Sequence, residues 1–510
     1  MKKRELIEKA TPHYDEDQIL ELEHAIDVAT EAHKGQKRKS GEPYIIHPIA
    51  VASTLIDWGM DIDSVIAGIL HDTVEDTDIT LETIESLFGK DVAFLVDGVT
   101  KVSQARAGMQ DLAEYLPQTK DNLSKLLIAV GQDVRVLIIK LADRLHNLET
   151  LQHMPKEKQI KIARESLEVF GPMADKLGMG RVRMQIEEVA FSYLDPTEFH
   201  KLQSLIRKRL GKNTRKLGVV RDEVDKVLKK EGIKFEINGR VKSIFSLYKK
   251  LKKVDGNIDD IYDLMALRII VETKEDCYRV LGILHSMYQP MIARIKDYIA
   301  VPKPNGYQSL HTVVITPSKQ IVEFQIRTYD MHEFAERGLA ASFHYHEQKD
   351  SKEYLRKNSS VLPANMQWIT QLQEIATKLR GGDDIPEDQL NVDLFGNRIF
   401  VYSPKGDIYN LPEGALPLDF AYLVHSDIGK HAYGFKVNGA IQPFDKPLHN
   451  GDVVEVLTRK TATPKQTWLE QVVTTHARSK LRAQLRQLGI IEGISHAAAI
   501  IREKTRKKKS

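Results

Sequence analysis

The sequence predicts a multidomain chain with an all-α N-terminal region, an α/β middle region, a small β-rich module and a helical C-terminal tail. Across residues 1–195, apolar positions recur at helical spacing and strand-like alternation is scarce. Three β-rich segments, 264–271, 310–316 and 321–328, then alternate with helical stretches. Short strands separated by Pro and Gly turns dominate residues 392–458, and helical periodicity returns after them. A length of 510 residues is sufficient for roughly three or four domains.

The boundaries between these parts follow from breaks in the patterns. Pro196 marks the end of the first helical region, because proline resists continuation of a preceding helix. A basic helical stretch continues to residue 231, and the polar, weakly patterned stretch 348–391 is predicted to be a connector. The predicted domains are 1–195, 196–347 and 392–458, followed by a basic helical region at 459–510. Within the first domain, helices are predicted at residues 17–33, 46–58, 62–71, 81–97, 121–130 and 159–178.

Composition excludes several classes of protein. The apolar content of 42% and the charged content of 28% are ordinary for a globular domain. The N-terminus is charged and is followed by no signal-like apolar region, and no apolar run approaches the ~18–20 residues of a membrane span. Cys277 is the only cysteine, which excludes an internal disulfide and a multi-cysteine zinc site. These features predict a cytoplasmic protein.

The net charge of +3 conceals an asymmetry along the chain. Residues 461–510 carry eleven Lys or Arg against three acidic residues, so the remainder of the chain is net acidic. Clustered positive charge favours phosphate-rich partners such as nucleic acid. A solubilising tail is an equally good interpretation of the last six residues.

A first chemical centre is predicted from histidines and aspartates in the helical N-terminal region. His71 and Asp72 are adjacent, His47 lies upstream and Asp143 lies on a later helix. Two imidazoles and two carboxylates suit a Mn²⁺- or Fe²⁺-like ion and not a thiolate-held structural zinc. Such an ion would bind a phosphate oxygen and polarise an attacking water, which is typical of a metal-dependent phosphohydrolase.

Spacing adds a second set of residues to this centre. Residues four apart on a helix share one face, so each of the following pairs is predicted to lie together: His71 with Glu75, Asp72 with Asp76, and Asp143 with Asn147. Glu75 and Asp76 are not needed as ligands and are left to handle the proton of the water.

These residues resemble the HD-type hydrolase domain of the RelA/SpoT family, the long stringent-response enzymes. The match extends through Gly41-Glu42-Pro43-Tyr44-Ile45-Ile46-His47-Pro48 and Asp97-Gly98-Val99-Thr100-Lys101-Val102. In that family the domain removes pyrophosphate from the 3′ position of ppGpp and pppGpp. The resemblance implies that the metal ligands are His47, His71, Asp72 and Asp143, that the catalytic carboxylates are Glu75 and Asp76, and that Arg38, Lys39 and Asn147 contact the nucleotide.

The α/β region holds a second centre, in which cations accompany two distant carboxylates and an aromatic side chain. The carboxylates are Asp263, at the start of the strand 264–271, and Glu323 in the strand 321–328, and Tyr307 follows a glycine. This set fits a polyphosphate, Mg²⁺ and a stacked base. The sequence has no Walker A loop, so any ATP would be held by side chains. Composition alone leaves open a passive RNA-binding face at the strand ends.

Three strings around this centre resemble the nucleotidyltransferase-like synthetase domain of the same family. They are Gly239-Arg240-Val241-Lys242-Ser243, Lys303-Pro304-Asn305-Gly306-Tyr307-Gln308-Ser309-Leu310-His311-Thr312 and Glu323-Phe324-Gln325-Ile326-Arg327-Thr328. That domain moves the β,γ-pyrophosphate of ATP onto the 3′-hydroxyl of GDP or GTP. The resemblance implies that Asp263 and Glu323 hold Mg²⁺ and that Glu323 deprotonates the 3′-hydroxyl. It also implies that Tyr307 stacks on guanine, Asn305 and His311 orient the acceptor, Arg240 packs on the ATP base, and Lys249, Lys296 and Lys303 neutralise phosphates.

One tetrapeptide distinguishes members within the family. Those that both make and degrade the alarmone carry a basic Arg-x-Lys-Asp, and synthesis-only members carry an acidic version. This chain reads Arg294-Ile295-Lys296-Asp297, which implies two opposed activities. Because simultaneous operation would waste ATP, we expect the domains to switch reciprocally through the helical segment 160–230.

Residues 392–458 resemble a TGS domain, a small β-grasp-like module that senses tRNA on a stalled ribosome in this family. The strings that carry the resemblance include Tyr402-Ser403-Pro404-Lys405-Gly406-Asp407 and Lys436-Val437-Asn438-Gly439. His425 and His431 are both candidates for the contact with the tRNA 3′ end, and a packing module without a ligand is the alternative. The zinc-finger-like and ACT-type regions of long members have no counterpart before Ser510, which puts ribosome-coupled control in doubt.

The sequence therefore predicts a bifunctional enzyme, a GTP/GDP 3′-diphosphokinase and a guanosine-3′,5′-bis(diphosphate) 3′-diphosphatase. Its expected metals are Mn²⁺ at the hydrolase site and Mg²⁺ at the synthetase site, and its expected ligands are ATP, GDP or GTP, and (p)ppGpp. Two rivals remain open at this point: a hydrolase whose synthetase-like domain only binds guanine nucleotide, and a ribosome- or tRNA-associated protein without turnover.

Overall fold

The structure is a computed structural model that describes residues 2–108, 133–241, 243–253, 265–303, 305–340, 398–449 and 451–489. The chain forms two compact units, residues 1–380 and 381–510. The predicted helix 121–130, the connector 348–391 and residues 490–510 of the basic tail lie outside the described residues.

The first part of unit 1 is helical, apart from one isolated bridge between Lys37 and Pro43. Its helices are α1 (Lys3–Ala10), α2 (Glu16–Ala32), α3 (Ile46–Trp58), α4 (Ile62–Leu70), α5 (Thr73–Asp76), α6 (Leu81–Gly108, interrupted at Gly89), α7 (Arg135–Glu149), α8 (Lys156–Glu165), a π-helical turn (Ser166–Phe170), α9 (Gly171–Lys176), α10 (Gly180–Leu194) and α11 (Pro196–Lys230). The all-α prediction is confirmed for the described residues of this region, 2–108 and 133–195. Helices α3, α4 and α7 pack against one another and bury their apolar faces.

Local sequence explains where these helices begin and end. The Asp15 carboxylate accepts from the backbone N–H of Gln18 at the start of α2, and Asp61 does the same for Ser64 at the start of α4. Helix α3 ends at Gly59, whose φ of 75° is the left-handed conformation that glycine adopts without strain. Pro196 occupies the first turn of α11, where its missing N–H costs nothing.

The structure corrects one expectation about spacing. His71 and Asp72 do not lie within one continuous helix, because α4 ends at Leu70 and the short helix α5 begins at Thr73. The pairs His71–Glu75 and Asp72–Asp76 therefore span a junction between two helices.

The second part of unit 1 is an α/β domain. Its strands are β1 (Phe235–Val241), β2 (Met265–Val271), β3 (Gln289–Pro290), β4 (Lys296–Asp297), β5 (Leu310–Ile315) and β6 (Ile321–Thr328), and its helices are α12 (Ile244–Lys253), α13 (Lys274–Met287) and α14 (Tyr329–Arg337). The sheet order is β1-β2-β6-β5-β3, with β4 pairing with β5. Only β2 and β6 run parallel among the described strands, and the other pairs are antiparallel.

Strand β6 has the two faces that its alternation predicts. Val322, Phe324 and Ile326 belong to the apolar core that α13 covers, so the side chains between them point to the other face. Helix α14 contacts β2 and β6, and its Glu336 carboxylate pairs with Arg268 of β2 and Arg327 of β6. Strand β1 was missed because the Asn-Gly pair within it reads as a turn.

Unit 2 is a small mixed module. A hairpin of β7 (Arg398–Tyr402) and β8 (Ile408–Pro412) is followed by α15 (Pro417–Val424), α16 (Ser426–Lys430), β9 (Ala432–Val437), β10 (Ala440–Gln442), β11 (Val454–Thr458), α17 (Trp468–Gln471) and α18 (Thr475–Gln487). The second sheet has the order β10-β9-β11. One core joins the strands to α15 and α18, and the buried Asp419 carboxylate accepts from the backbone N–H groups of Val473 and Thr474.

A search of the described helices found none with the length and apolarity that a membrane span requires.

Candidate functional site

Three packed helices of unit 1 bring two histidines and two aspartates together. His47 lies in the first turn of α3, His71 and Asp72 follow α4, and Asp143 lies in the middle of α7. The Nε2 atom of His47 is 3.1 Å from Asp143 Oδ1 and 3.6 Å from Asp72 Oδ2. The Nε2 atom of His71 is 3.1 Å from Asp72 Oδ1 and 3.9 Å from Asp143 Oδ1. His47, His71 and Asp143 offer ligand atoms within 4.8 Å of one another, and all three side chains are buried.

The chemistry of His71 fits a metal ligand. Its Nδ1 lies 2.9 Å from the Gly68 carbonyl oxygen, which can only accept, so Nδ1 carries the proton and Nε2 presents a lone pair. That Nε2 atom is buried and has no hydrogen-bond partner. A buried lone pair without a partner costs free energy unless a ligand satisfies it. With two imidazoles and two carboxylates around it, this position fits a divalent cation.

Asp143 is held from two sides. Lys140 Nζ lies 2.6 Å from Asp143 Oδ2, and the side-chain amide of Asn147 donates to Oδ1. Burial disfavours the charged carboxylate, but the adjacent Lys140 ammonium outweighs that effect and keeps the pKa of Asp143 well below its usual range. Asp143 is therefore ionised and oriented, as a metal ligand must be.

Two further carboxylates lie beside the cluster. Tyr44 O–H lies 2.8 Å from Asp72 Oδ2 and 2.9 Å from Asp76 Oδ2, so the phenol bridges the two aspartates. Partial desolvation raises the pKa of Glu75 to about 7, with Lys140 opposing the shift and Asp72 and Asp76 adding to it. The Glu75 side chain is still exposed to solvent. A carboxyl group with a pKa near neutrality can both take and give a proton.

The expected nucleotide contacts of this site surround the cluster. Arg38 donates to the Asn147 side-chain oxygen at 2.8 Å and lies 3.3 Å from His146 Nδ1. His146 Nδ1 in turn lies 2.8 Å from His47 Nδ1. Burial, together with His47 and Arg38, lowers the pKa of His146 to about 3, so His146 is neutral. Lys39 is exposed beside Arg38.

The second centre lies on the polar face of the sheet in the α/β domain. The Glu323 side chain is 8% exposed, and its Oε1 accepts from Gln325 Nε2 at 3.2 Å and lies 3.3 Å from His311 Nδ1. His311 Nε2 lies 2.9 Å from the Tyr307 hydroxyl, and Arg240 donates to Gln325 at 2.8 Å. The structure thus brings Glu323, His311, Tyr307 and Arg240 into one connected network. Asp263, the expected partner of Glu323, lies outside the described residues.

Several cations lie close to one another beside this network. Lys303 Nζ lies 4.8 Å from the Tyr298 ring centroid and 5.0 Å from that of Tyr307. Burial lowers the pKa of Lys303, and neighbouring cations lower it further against the opposing effect of Asp175. Burial and the adjacent Arg268 likewise lower the pKa of Arg327 to about 10. Crowded, desolvated cations of this kind are stabilised by an anion with several charges, such as a polyphosphate.

Two residues expected in this centre instead contact the helical domain. Lys249 donates to the buried Glu187 carboxylate of α10 at 2.9 Å, and the Asn305 side chain donates to the Asp175 backbone oxygen of α9 at 3.0 Å. Lys296 is exposed and pairs in register with His311 across β4 and β5.

A close backbone approach holds this contact between the domains. Gly178 has a φ of 72°, and a Cβ there would lie 3.0 Å from both the Asn305 backbone oxygen and the Phe334 ring. A Cβ at Gly338 would overlap the backbone of residues 177–179. Larger side chains at either position would force the helical and α/β domains apart.

In unit 2, both histidines considered for a tRNA contact have local hydrogen bonds. His425 Nδ1 accepts from the backbone N–H of Asp427 at the start of α16, and His431 Nδ1 lies 2.9 Å from the Asp427 backbone oxygen. The structure does not favour one of them over the other.

Sequence reasoning gave no role to three side chains that contact the first cluster: Tyr44, Lys140 and His146. Helix spacing could have predicted two of these contacts, because Lys140 and His146 lie three residues before and after Asp143 and so share its helix face. Tyr44 comes from a separate loop, and only tertiary structure brings it to Asp72.

Profiles of three known domains match consecutive parts of the chain. They are the HD domain at residues 25–180, the "region found in RelA / SpoT proteins" at 239–350 and the TGS domain at 399–458. The order of the matches is the predicted order of the domains.

Two curated relatives and one solved structure illustrate the similarity. A protein of Myxococcus xanthus named GTP pyrophosphokinase is 43% identical over 459 residues, which cover 90% of this chain and 59% of the relative. The Escherichia coli K12 protein named bifunctional (p)ppGpp synthase/hydrolase SpoT is 39% identical over 480 residues, covering 94% of this chain and 67% of the relative. A crystal structure of small alarmone synthetase 1 from Bacillus subtilis bound to its product pppGpp is 24% identical and covers 35% of this chain and 98% of its own. Its TM-score of 0.23 is too low to support an argument.

The chain spans between 56% and 67% of the length of the curated relatives compared with it. The HD, synthetase-type and TGS domains occur together and in one order along nearly the whole chain, and the identity to the Escherichia coli relative extends across them. These observations place the chain in the RelA/SpoT family.

Proposed function

We propose that this chain both hydrolyses and synthesises (p)ppGpp. The observation that carries the proposal is that unit 1 holds two separate centres of polar side chains with different chemistry. One is a buried cluster of two imidazoles and two carboxylates, and the other is a group of cations near the Glu323 carboxylate. The names of the curated relatives, which include both pyrophosphokinases and 3′-pyrophosphohydrolases, support the same assignment.

In the hydrolase reaction, a water oxygen forms a bond to the phosphorus on O3′ and the bond between that phosphorus and O3′ breaks. Pyrophosphate leaves, and O3′ takes one proton to give GDP or GTP. His47, His71, Asp72 and Asp143 would hold a divalent cation, for which we propose Mn²⁺ because the ligands are imidazoles and carboxylates. The ion, when bound, would supply Lewis acidity to the phosphate.

The residues around the cluster have separate roles in this proposal. Glu75, with its pKa near neutrality, takes the proton of the water. Asp76 is oriented by the Tyr44 hydroxyl that it shares with Asp72. Arg38, Lys39 and Asn147 would contact the nucleotide.

In the synthetase reaction, the 3′-oxygen of GDP or GTP attacks the β-phosphorus of ATP and AMP leaves. Glu323 takes the proton of the 3′-hydroxyl, and its Oε1 is already positioned by Gln325 and His311. Tyr307 stacks on guanine, Asn305 and His311 orient the acceptor, and Arg240 packs on adenine. Lys249, Lys296 and Lys303 neutralise phosphate charge, which is the main protein contribution to phosphoryl-type transfer. We propose that Mg²⁺ binds between Glu323 and Asp263.

The direct test measures both reactions with the full chain. Incubation with Mn²⁺ and ppGpp is expected to release pyrophosphate and GDP, and incubation with Mg²⁺, ATP and GDP is expected to yield AMP and ppGpp. Absence of the second product, with nucleotide still bound, would favour a hydrolase with a regulatory synthetase-like domain. Absence of both products would favour a binding protein.

Hydrolysis is expected to depend on pH through Glu75. The raised pKa means that Glu75 is protonated below about 7 and ionised above it, and only the ionised form can accept a proton. The hydrolysis rate should therefore rise with pH through this value, or through a lower one once a bound cation favours the ionised form. Rates measured between pH 5 and 9 test this, and Glu75→Gln should remove the step. A wild-type rate that falls over this range would contradict the assignment.

We also propose that the two activities are coupled through α9 and α10. While the donor groups of Lys249 and Asn305 bind Glu187 and Asp175 of the helical domain, these groups are not all available to bind a nucleotide. Occupation of the synthetase cleft is thus expected to alter these contacts and lower the hydrolysis rate. A non-hydrolysable ATP analogue with GDP, added to a hydrolysis assay, tests the coupling. Hydrolysis at an unchanged rate would show that the centres are independent.

A tRNA contact through the TGS module remains part of the proposal. The module carries exposed Tyr433 with the Arg459 guanidinium 4.5 Å from its ring centroid, an arrangement that suits a nucleic-acid surface. His425 and His431 both stay candidates for the tRNA 3′ end. The basic residues beyond 489 lie outside the described part of the chain.

A further inference from the structure

One guanidinium, that of Arg38, contacts the two adjacent residues of α7 that face the metal ligands. Its Nη1 lies 3.3 Å from His146 Nδ1, and its Nη2 donates to Asn147 Oδ1 at 2.8 Å. His146 Nδ1 lies 2.8 Å from His47 Nδ1, and Asn147 Nδ2 donates to Asp143 Oδ1. Arg38 therefore reaches two of the proposed metal ligands through one intermediate residue each. His146 connects it to His47, and Asn147 connects it to Asp143.

The positions of the protons in this network follow from which atoms can donate. A guanidinium has donors only, so His146 Nδ1 must accept from Arg38 and carries no proton. His47 Nδ1 faces the same lone pair, so it must be the donor and must carry a proton. Neutral His47 then has its lone pair on Nε2, the atom that points at Asp72 and Asp143.

The same argument orients Asn147. Because Arg38 donates to Asn147 Oδ1, the amide group is fixed with Nδ2 toward Asp143. One carboxylate oxygen of Asp143 is then held by the amide, while Lys140 holds the other. No intermediate side chain is needed for His71, because its Nδ1–H donates directly to the Gly68 backbone carbonyl.

We propose that Arg38 and His146 are positioning residues that hold His47 in the Nδ1–H tautomer and so present its Nε2 to the divalent cation. The inference rests on the proposed metal site, and it gives Arg38 a second task besides the nucleotide contact. Outer-shell partners of metal-bound histidines commonly change metal affinity by about 10–100-fold. Here the partner of His47 is the His146 imidazole, and the tautomer of His146 depends on Arg38.

The test measures Mn²⁺ binding to the full chain by calorimetry, without nucleotide. His146→Leu removes the acceptor and is expected to weaken Mn²⁺ binding by about 10–100-fold. His146→Asn replaces Nδ1 with an amide oxygen that can accept from both His47 and Arg38, and it should retain most of the affinity. Arg38→Met keeps the packing of the side chain but loses the donors, so it should also weaken binding. His153→Leu, at an exposed histidine outside the cluster, is the matched control and should bind as the wild type does.

The outcomes separate this inference from the proposed function. Wild-type affinity in both His146→Leu and Arg38→Met would overturn the inference and leave the metal site intact. Equal weakening in His146→Leu and His146→Asn would also overturn it, because a packing defect would not be rescued by an acceptor. A wild-type chain that binds no Mn²⁺ would overturn the metal site and the inference together. If His146→Leu unfolds without metal, the comparison of His146→Asn with Arg38→Met decides.

Discussion

Asp72→Asn is expected to abolish hydrolysis of ppGpp while synthesis continues at the wild-type rate. The asparagine keeps the size of the side chain and an oxygen that accepts from Tyr44, so local packing is preserved. It removes the negative charge that lies 3.1 Å and 3.6 Å from the two histidine Nε2 atoms. Loss of an outer-shell partner costs roughly 10–100-fold, and loss of a direct ligand should cost at least about 100-fold. Pyrophosphate release from ppGpp measures the first activity and AMP formation the second.

The control for this variant is Asp27→Asn, which makes the same chemical change at an exposed surface pair with Lys3. It should leave both activities unchanged, because an exposed ion pair contributes little to stability. Near-normal hydrolysis by Asp72→Asn would remove Asp72 from the ligand set. Loss of both activities would indicate a folding defect or one shared site.

The reverse result is expected for Glu323→Gln, which should lose synthesis and keep hydrolysis. Glutamine preserves the shape of the side chain and an acceptor for Gln325, but it cannot take the proton of the 3′-hydroxyl. Removal of a general base commonly costs about 10²–10⁴-fold in rate. The amide also removes a charge that would bind Mg²⁺, so the loss should lie toward the upper end of that range. The same pair of assays measures it.

Glu333→Gln is the matched control, since Glu333 is an exposed residue of α14 paired with Arg337. Synthesis by Glu323→Gln at more than a tenth of the wild-type rate would exclude Glu323 as the base. Together, the Asp72 and Glu323 variants would establish two separable centres if each loses only one activity.

The fold was largely predictable because its main signals are local. Periodic apolar residues predicted α3 at 46–58, and proline at 196 predicted the boundary between α10 and α11. Alternation in β6 gave both its bounds and its core-facing residues. Strand β1 escaped prediction, since its pairing with β2 overrides the turn preference of Asn238-Gly239.

For the first centre, the sequence alone indicated the candidate ligands. Two histidines and two aspartates are side chains that bind divalent cations, and their order along the chain resembles that of the HD-type domain. Only the tertiary structure decided how those ligands are held, through Tyr44 on Asp72, Lys140 on Asp143 and His146 on His47.

The difference has a physical cause. Helix spacing encodes neighbours within about one turn, as for Asp143 and Asn147, but it carries no information about pairs separated by about a hundred residues. Arg38 and His146, or Lys249 and Glu187, meet only because the apolar faces of their elements pack. The sequence thus indicated which groups are candidates for the chemistry, and the packing of helices and sheet decided which proton, charge and partner each group has.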